Sequence, residues 1–448
     1  MTRPVKPDEV GSAPHADPVG VRTDSGTTAE EVAGVQRRTV WVLSLGQVLG
    51  GLAFGATLSL GAVLAAELSG EDAFSGLAAA AVTFGTAMTA VPLAAIARRR
   101  GRRRSLTTGM AVALVGVGLV IVAVSLRAFP LLLVGFLIIG AGQAANLQSR
   151  FAAADLATDA SRGRDLSIVV WATTVGAVLG PNLTGPGEII GGAIGMPPLT
   201  GPYLFTLVAQ GLAIVLYLVA MRPDPLLLAQ RVVASARAES RTIAKADRPV
   251  AARYAIFAVA AAHGTMVSVM AMTPVHLAHL THGATEAATL SIIGLTISLH
   301  IAGMYVLSPV FGILADKVGR VPTILIGQVL LVAALLTASF GQLSTTAVTV
   351  ALVLLGLGWS ASTVAGSTLL TESSSEALRT RRQGISDFTM SIVGGLGAIA
   401  AGAVLGGIGY GGLALVVLVL VAASVLLAPL GWRASRRPAP VGDAPAGG

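Results

Sequence analysis

The sequence predicts an all-α membrane protein with twelve transmembrane helices in two parallel six-helix repeats. Three observations predict it. Of 448 residues, 54% are hydrophobic and only 12% are charged, with a mean hydropathy of +0.79, far outside the balance of soluble domains. Twelve apolar runs lie near residues 39–66, 73–97, 105–126, 129–153, 165–188, 201–221, 252–279, 284–311, 321–342, 346–371, 383–408 and 411–432, and about 20 such residues cross a hydrocarbon core. A Gly-Arg turn between two runs occurs twice, as Gly101-Arg102 and, 218 residues later, as Gly319-Arg320. Backbone in lipid is satisfied only in helices or closed barrels, and the runs lack the period-two alternation of barrel strands.

In order along the chain, residues 1–36 are rich in Pro, Asp, Thr and Gly and lack the apolar centre of a signal peptide, so they read as a disordered cytoplasmic tail. Residues 37–221 form the first six-helix bundle, in which the spacings Gly46/Gly50 and Gly51/Gly55 permit close helix approach. In the fourth run, Gly140-Ala141-Gly142 has a counterpart in Gly356-Leu357-Gly358 of the tenth, an offset of 216. The fifth run contains Gly176, Gly180, Pro181 and Gly185, a pattern for tight packing and bending. Residues 222–250 are a cytoplasmic linker: Arg222-Pro223-Asp224-Pro225 blocks helix continuation, after which Arg237, Arg241 and Lys245 share one face of an interfacial helix. Residues 251–432 form the second bundle, and 433–448 a disordered cytoplasmic tail.

The net charge of +8 does not point to nucleic acid. The Lys and Arg residues cluster in loops that fall on one side if twelve helices alternate, which places both termini in the cytoplasm and the basic groups against anionic lipid. With no cysteine there is neither a disulfide framework nor a thiolate site. His276, His279 and His282 lack a spacing that fixes a metal, so no metal is expected. No cofactor is expected either, and H-E-x-x-H, G-x-S-x-G and P-loop patterns are absent, which argues against an enzyme. Arginine greatly outnumbers lysine, a usage that fits a GC-rich bacterial genome, and the expected location is the bacterial cell (inner) membrane. A monomer is expected.

The segment Gly312-Ile313-Leu314-Ala315-Asp316-Lys317-Val318-Gly319-Arg320 resembles the G-x-L-A-D-R-x-G-R-R signature of the major facilitator superfamily. The earlier copy keeps Gly101, Arg102 and Arg103 but carries Arg98 where the acidic residue belongs. The resemblance extends over about residues 38–432 and implies alternating access by rocking of two halves around a midplane site. It also implies gate-latching pairs, Arg102 with Asp155 and Arg320 with Glu372. Residues 176–185 resemble the G-x-x-x-G-P-x-x-G-G motif of proton antiporters in the same superfamily, departing at Thr184.

Ionisable groups within spans are functional candidates by default. Asp387, His263 and His300 are the proton-coupling candidates. Stabilisation of a helix start is the competing reading for Asp387, and a neutral histidine making one cross-helix bond is the competing reading for the other two. Gln47, Gln143, Asn146, Arg150, Trp171, Met270, Tyr305 and Trp359 are the cavity candidates, with packing as the alternative for each. Arg150 favours an anionic solute and Asp387 a cationic one, according to which faces inward. The expected function is secondary transport of a small organic solute coupled to protons, as an exporter. The alternative is import of a nutrient such as a vitamin, sugar or organic anion.

Overall fold

The computed structural model describes residues 28–71, 74, 76–238, 247–281 and 286–436. The long regular elements among them are thirteen helices: α1 (Ala29–Ser69), α2 (Gly76–Ser125), α3 (Phe129–Ala152), α4 (Arg162–Asn182), α5 (Thr184–Ala193), α6 (Tyr203–Ala220), α7 (Pro225–Ala238), α8 (Pro249–Leu280), α9 (Glu286–Tyr305), α10 (Ser308–Val318), α11 (Arg320–Phe340), α12 (Thr345–Ser373) and α13 (Glu376–Arg436). No strand occurs among the described residues. Eight helical stretches there are long and apolar enough to cross a membrane.

Two helices are too long for one crossing. At 1.5 Å per residue the 50 residues of α2 would extend about 75 Å, more than twice a hydrocarbon core. The helix breaks at Gly101 (φ 86°, ψ 169°), a conformation that only glycine adopts without strain. Its two arms then lie side by side, with the Ser105 hydroxyl donating to the Leu93 carbonyl at 2.7 Å. Gly409 (φ 72°) divides the 61-residue α13 in the same way, and Leu413 and Val417 beyond it pack on Ala401 before it.

The internal repeat is visible in backbone detail. Gly319 (φ 112°, ψ 159°) repeats the conformation of Gly101 and separates α10 from α11. A Cβ on Gly140 would lie 2.5 Å from the Val82 carbonyl and the Thr86 amide, and one on Gly356 would lie 2.5 Å from the His300 carbonyl and 2.9 Å from the Met304 amide. Each contact partner in the second half stands 218 positions after its counterpart in the first. Where lipid supplies no hydrophobic drive between helices, this close backbone approach is what holds them together.

Several sequence expectations are corrected. The N-terminal tail ends earlier than residue 36: α1 starts at Ala29, where the Thr28 hydroxyl caps the Glu31 amide and the Glu31 carboxylate returns a bond to the Thr28 amide. This capping box is polar, so hydropathy hides the helix start. At the other end α13 continues to Arg436, whose guanidinium lies 4.7 Å over the Trp432 ring. The fifth run is not one helix, because the chain breaks at Leu183 between α4 and α5. Nor is the eighth, which divides before Ser308-Pro309, with proline in the first turn of α10. Gly312 and Asp316 therefore lie on a helix and only Gly319 forms the turn. Asp155 follows α3 rather than ending it. Arg241 and Lys245 of the linker, and His282, fall outside the described residues.

Candidate functional site

The first arm of α13 carries a row of polar groups on one face, because residues four apart align on a helix. Asp387 is wholly buried and accepts from Arg150 Nη2 on α3 at 2.5 Å, with the Arg150 side chain 3% exposed. This ion pair joins the two halves. Asp387 stands eleven residues inside α13, about three turns, too deep for the first-turn dipole reading. One turn earlier, Gln383 Oε1 accepts from Arg102 Nη2 at 2.6 Å, and Arg102 also pairs with Asp155 at 2.8 and 3.2 Å. The residue just before Gln383, Arg382, points to a different side and forms a two-pronged pair with Asp247 of the connector at 2.6 and 2.7 Å.

The pair on α13 is not fully saturated. Arg150 Nε and Asp387 Oδ2 have no hydrogen-bond partner among the described residues, although the Arg150 guanidinium also lies 4.8 Å from the Phe151 ring centre. Buried Gln47 Oε1, Asn146 Oδ1, Ser360 Oγ and Thr363 Oγ1 are likewise without partners there. Buried polar atoms are normally paired, so spare valences of this kind inside an apolar bundle are what a polar solute would fill.

An aromatic group stands beside it. Trp359 Nε1 donates to His263 Nδ1 at 3.0 Å, and Tyr305 meets Trp359 edge-on at 5.8 Å and 81°. His263 packs on Gly394, two turns along the face of α13 that carries Asp387. Tyr305 and His263 are both half-buried. Met270 and Gln143 are half-buried. His300 stands apart, with its Nδ1 2.7 Å from the Leu352 carbonyl.

Trp171 does not join the cluster. It is 42% exposed and shares an apolar stripe with Ile168, Val175 and Leu179 at helical spacing, while Leu166 and Val170 take the buried face. A separate groove of about 770 Å³ opens between α1, α4 and α7, lined by Gln36, Arg37, Trp41, Arg164, Ile168 and Val232 among others. None of the central polar cluster lines it.

The end of the bundle that holds the connector is closed by contacts repeated in both halves. Arg320 pairs with Glu372 at 2.6 Å as Arg102 pairs with Asp155, and Arg320 Nη1 also donates to the Ala315 carbonyl. The Asp316 carboxylate accepts from the Gly163 and Arg164 amides at 3.0 and 2.9 Å, capping α4 of the opposite half. In the first copy the matching position is Arg98, and Gly101 instead packs against Asp224, which accepts from the Arg103 amide at 2.8 Å. Arg162 reaches Glu372 across the halves at 3.2 Å. Of residues 176–185, Gly176 lies 2.4 Å (as a Cβ) from the Val48 carbonyl of α1, a packing contact, and Gly185 is exposed. Gln383 and Asp247 were missed by sequence reasoning, although Gln383 stands one turn before Asp387. No group of metal-ligating side chains exists among the described residues, and His276 instead stacks on Tyr410 at 4.2 Å.

Two like helical halves closed around buried charges at one end define a multi-pass membrane protein of the transporter class. The Major Facilitator Superfamily pattern matches residues 43–297 and 279–448. The chain belongs to that family and is a secondary transporter of its type. It is 35% identical over 375 residues to the uncharacterized MFS-type transporter YddS of Bacillus subtilis (strain 168), covering 82% of this chain and 85% of that one. It is 27% identical over 372 residues to the riboflavin transporter RfnT of Brucella anthropi, covering 80% and 86%. Its fold superimposes on the human organic anion transporter MFSD10 with a TM-score of 0.68 at 18% identity, covering 88% and 99%.

Proposed function

We propose that the chain moves a small organic solute coupled to protons, with the Arg150–Asp387 pair as its coupling site. The observation that carries this is a carboxylate wholly buried in a span and bonded to an arginine of the opposite half. Such a pair forms or breaks as the halves rock, so solute, proton and conformation act on one element. Read with the breaks at Gly101 and Gly409, the helices make twelve crossings, six per half. The basic connector end is cytoplasmic, and its closure by Arg102, Asp155, Asp316, Arg320 and Glu372 makes this the outward-facing state.

Two directions of flux remain as readings. Proton-antiport export is supported only by the resemblance of Gly176, Gly180, Pro181 and Gly185 to the antiporter motif, since in the fold Gly176 makes a packing contact with α1. Nutrient import is supported by the likeness to a riboflavin transporter. Inverted membrane vesicles with an acid lumen and a pH-sensitive dye test the proposal, using a panel of cationic drugs, organic acids and vitamins. One chemical class should move protons, and D387N should abolish the response at equal protein level. A panel that moves none, with radiolabelled uptake into whole cells indifferent to pH, overturns proton coupling.

A further inference from the structure

The charges at the centre discriminate between solutes. An arriving cation that takes Asp387 leaves Arg150 buried without a counter-ion, and a guanidinium cannot shed its charge in a protein. Removing one partner from a buried pair in this way is strongly unfavourable. An arriving anion that takes Arg150 frees Asp387 instead, and a carboxylate can become neutral by binding a proton. Only the second exchange leaves the interior with balanced charge. The other groups facing Asp387 do not alter this. Arg102, on α2, is held by Asp155 and Gln383, Gln383 is neutral, and His263 from α8 accepts the Trp359 N–H, which leaves Tyr305 from α9 as a neutral neighbour.

The neighbours also fix the rest of the solute. Trp359 is held in place by His263, and Tyr305 stands edge-on to it, partly accessible. Aromatic faces arranged so accept a third ring edge-on or offset. Gly394, against which His263 packs, stands seven residues and about 10 Å along α13 from Asp387, so the ring group and the charge pair border the same face of that helix.

Resting on the coupling role given to this pair, we infer that the solute is a ring-bearing organic anion whose carboxylate-like group takes the place of Asp387 on Arg150 while its ring packs against Tyr305 and Trp359. The proton taken up by Asp387 then travels with the anion in the same direction. No covalent step is involved; one proton binds per anion, and both leave together.

The test uses the full chain in nanodiscs with 2-naphthoate as probe, read by calorimetry and by proton uptake in weak buffer. Its comparators are 2-naphthylmethylamine, which reverses the charge, and acetate, which lacks the ring. The expected result is naphthoate binding with uptake of a proton. R150Q should weaken binding about tenfold to a hundredfold, the worth of a hydrogen bond to a charged group, with partial recovery in R150K. D387N should bind naphthoate at least as tightly as wild type and without proton uptake, because the competing carboxylate is gone. A merely structural ion pair would give the opposite, weaker binding in both variants. Preference for the amine, affinity indifferent to R150Q, or acetate binding equal to naphthoate overturns the inference. If naphthoate binds as stated but no solute moves protons in vesicles, the coupling role fails and the anion site stands; if cations alone move protons there, the anion site fails and coupling stands.

Discussion

Asp316→Ala is expected to open the connector end. Asp316 spans the two halves by accepting the Gly163 and Arg164 amides at the start of α4, at 3.0 and 2.9 Å. Loss of a helix cap costs about 0.5–2 kcal/mol, and loss of a negative charge at a helix start about 0.3–1 kcal/mol more. Asp316 also pairs with Arg320 within its own half at 3.1 Å, but Arg320 keeps its Glu372 partner at 2.6 Å, so what no other group replaces is the contact between halves. A total of about 1–3 kcal/mol shifts the ratio of closed to open forms about 5- to 150-fold. The chain has no cysteine, which makes spin labelling clean. Labels at A160C and A377C, both exposed positions flanking the closed end, should report a longer distance population in D316A by electron–electron double resonance. Arg98→Ala, at the matching position of the first copy, should leave the distribution unchanged because Arg98 is exposed. An unchanged distribution in D316A, or an equal shift in R98A, refutes the reasoning.

Trp359→Ala should abolish transport while Trp171→Leu leaves it near wild type, since only Trp359 touches the central cluster; uptake at matched expression decides. Gly140→Ala places a Cβ 2.5 Å from backbone atoms of α2 and should lower stability by about 1–3 kcal/mol, seen as a reduced melting temperature. Gly406→Ala meets nothing within 4 Å and should leave it unchanged. Burial pushes the Asp247 carboxyl up, but Arg382 and the Ser375 amide outweigh this and hold it below its ordinary 3.8. A depressed carboxyl contributes stability above that ordinary value and loses it as pH falls through the folded one. Melting temperature should therefore drop below about pH 4, and D247N should lower the plateau at neutral pH and flatten that acid drop.

The helices were legible because lipid forces long apolar runs, and the repeat because Gly101 and Gly319 share a backbone conformation that demands glycine. The start of α1 was not, since Thr28 and Glu31 satisfy the backbone with polar side chains that lower hydropathy. Arg150 and Asp387 stood out individually as charges in apolar runs, but their pairing across 237 residues depends on how the halves meet. Trp171 and Trp359 look alike in sequence; only the rotation of α4, with Leu166 and Val170 turned inward, sends Trp171 to the outer face. Gln383 was hidden because an uncharged amide near a helix start gives no signal of its own.

The most direct test of the coupling claim is solute-driven proton movement in proteoliposomes carrying wild type or D387N, alongside exchange of labelled solute at equal concentration on both sides. The account predicts that wild type moves protons with solute, whereas D387N moves none and still exchanges solute. Proton movement that persists in D387N contradicts it.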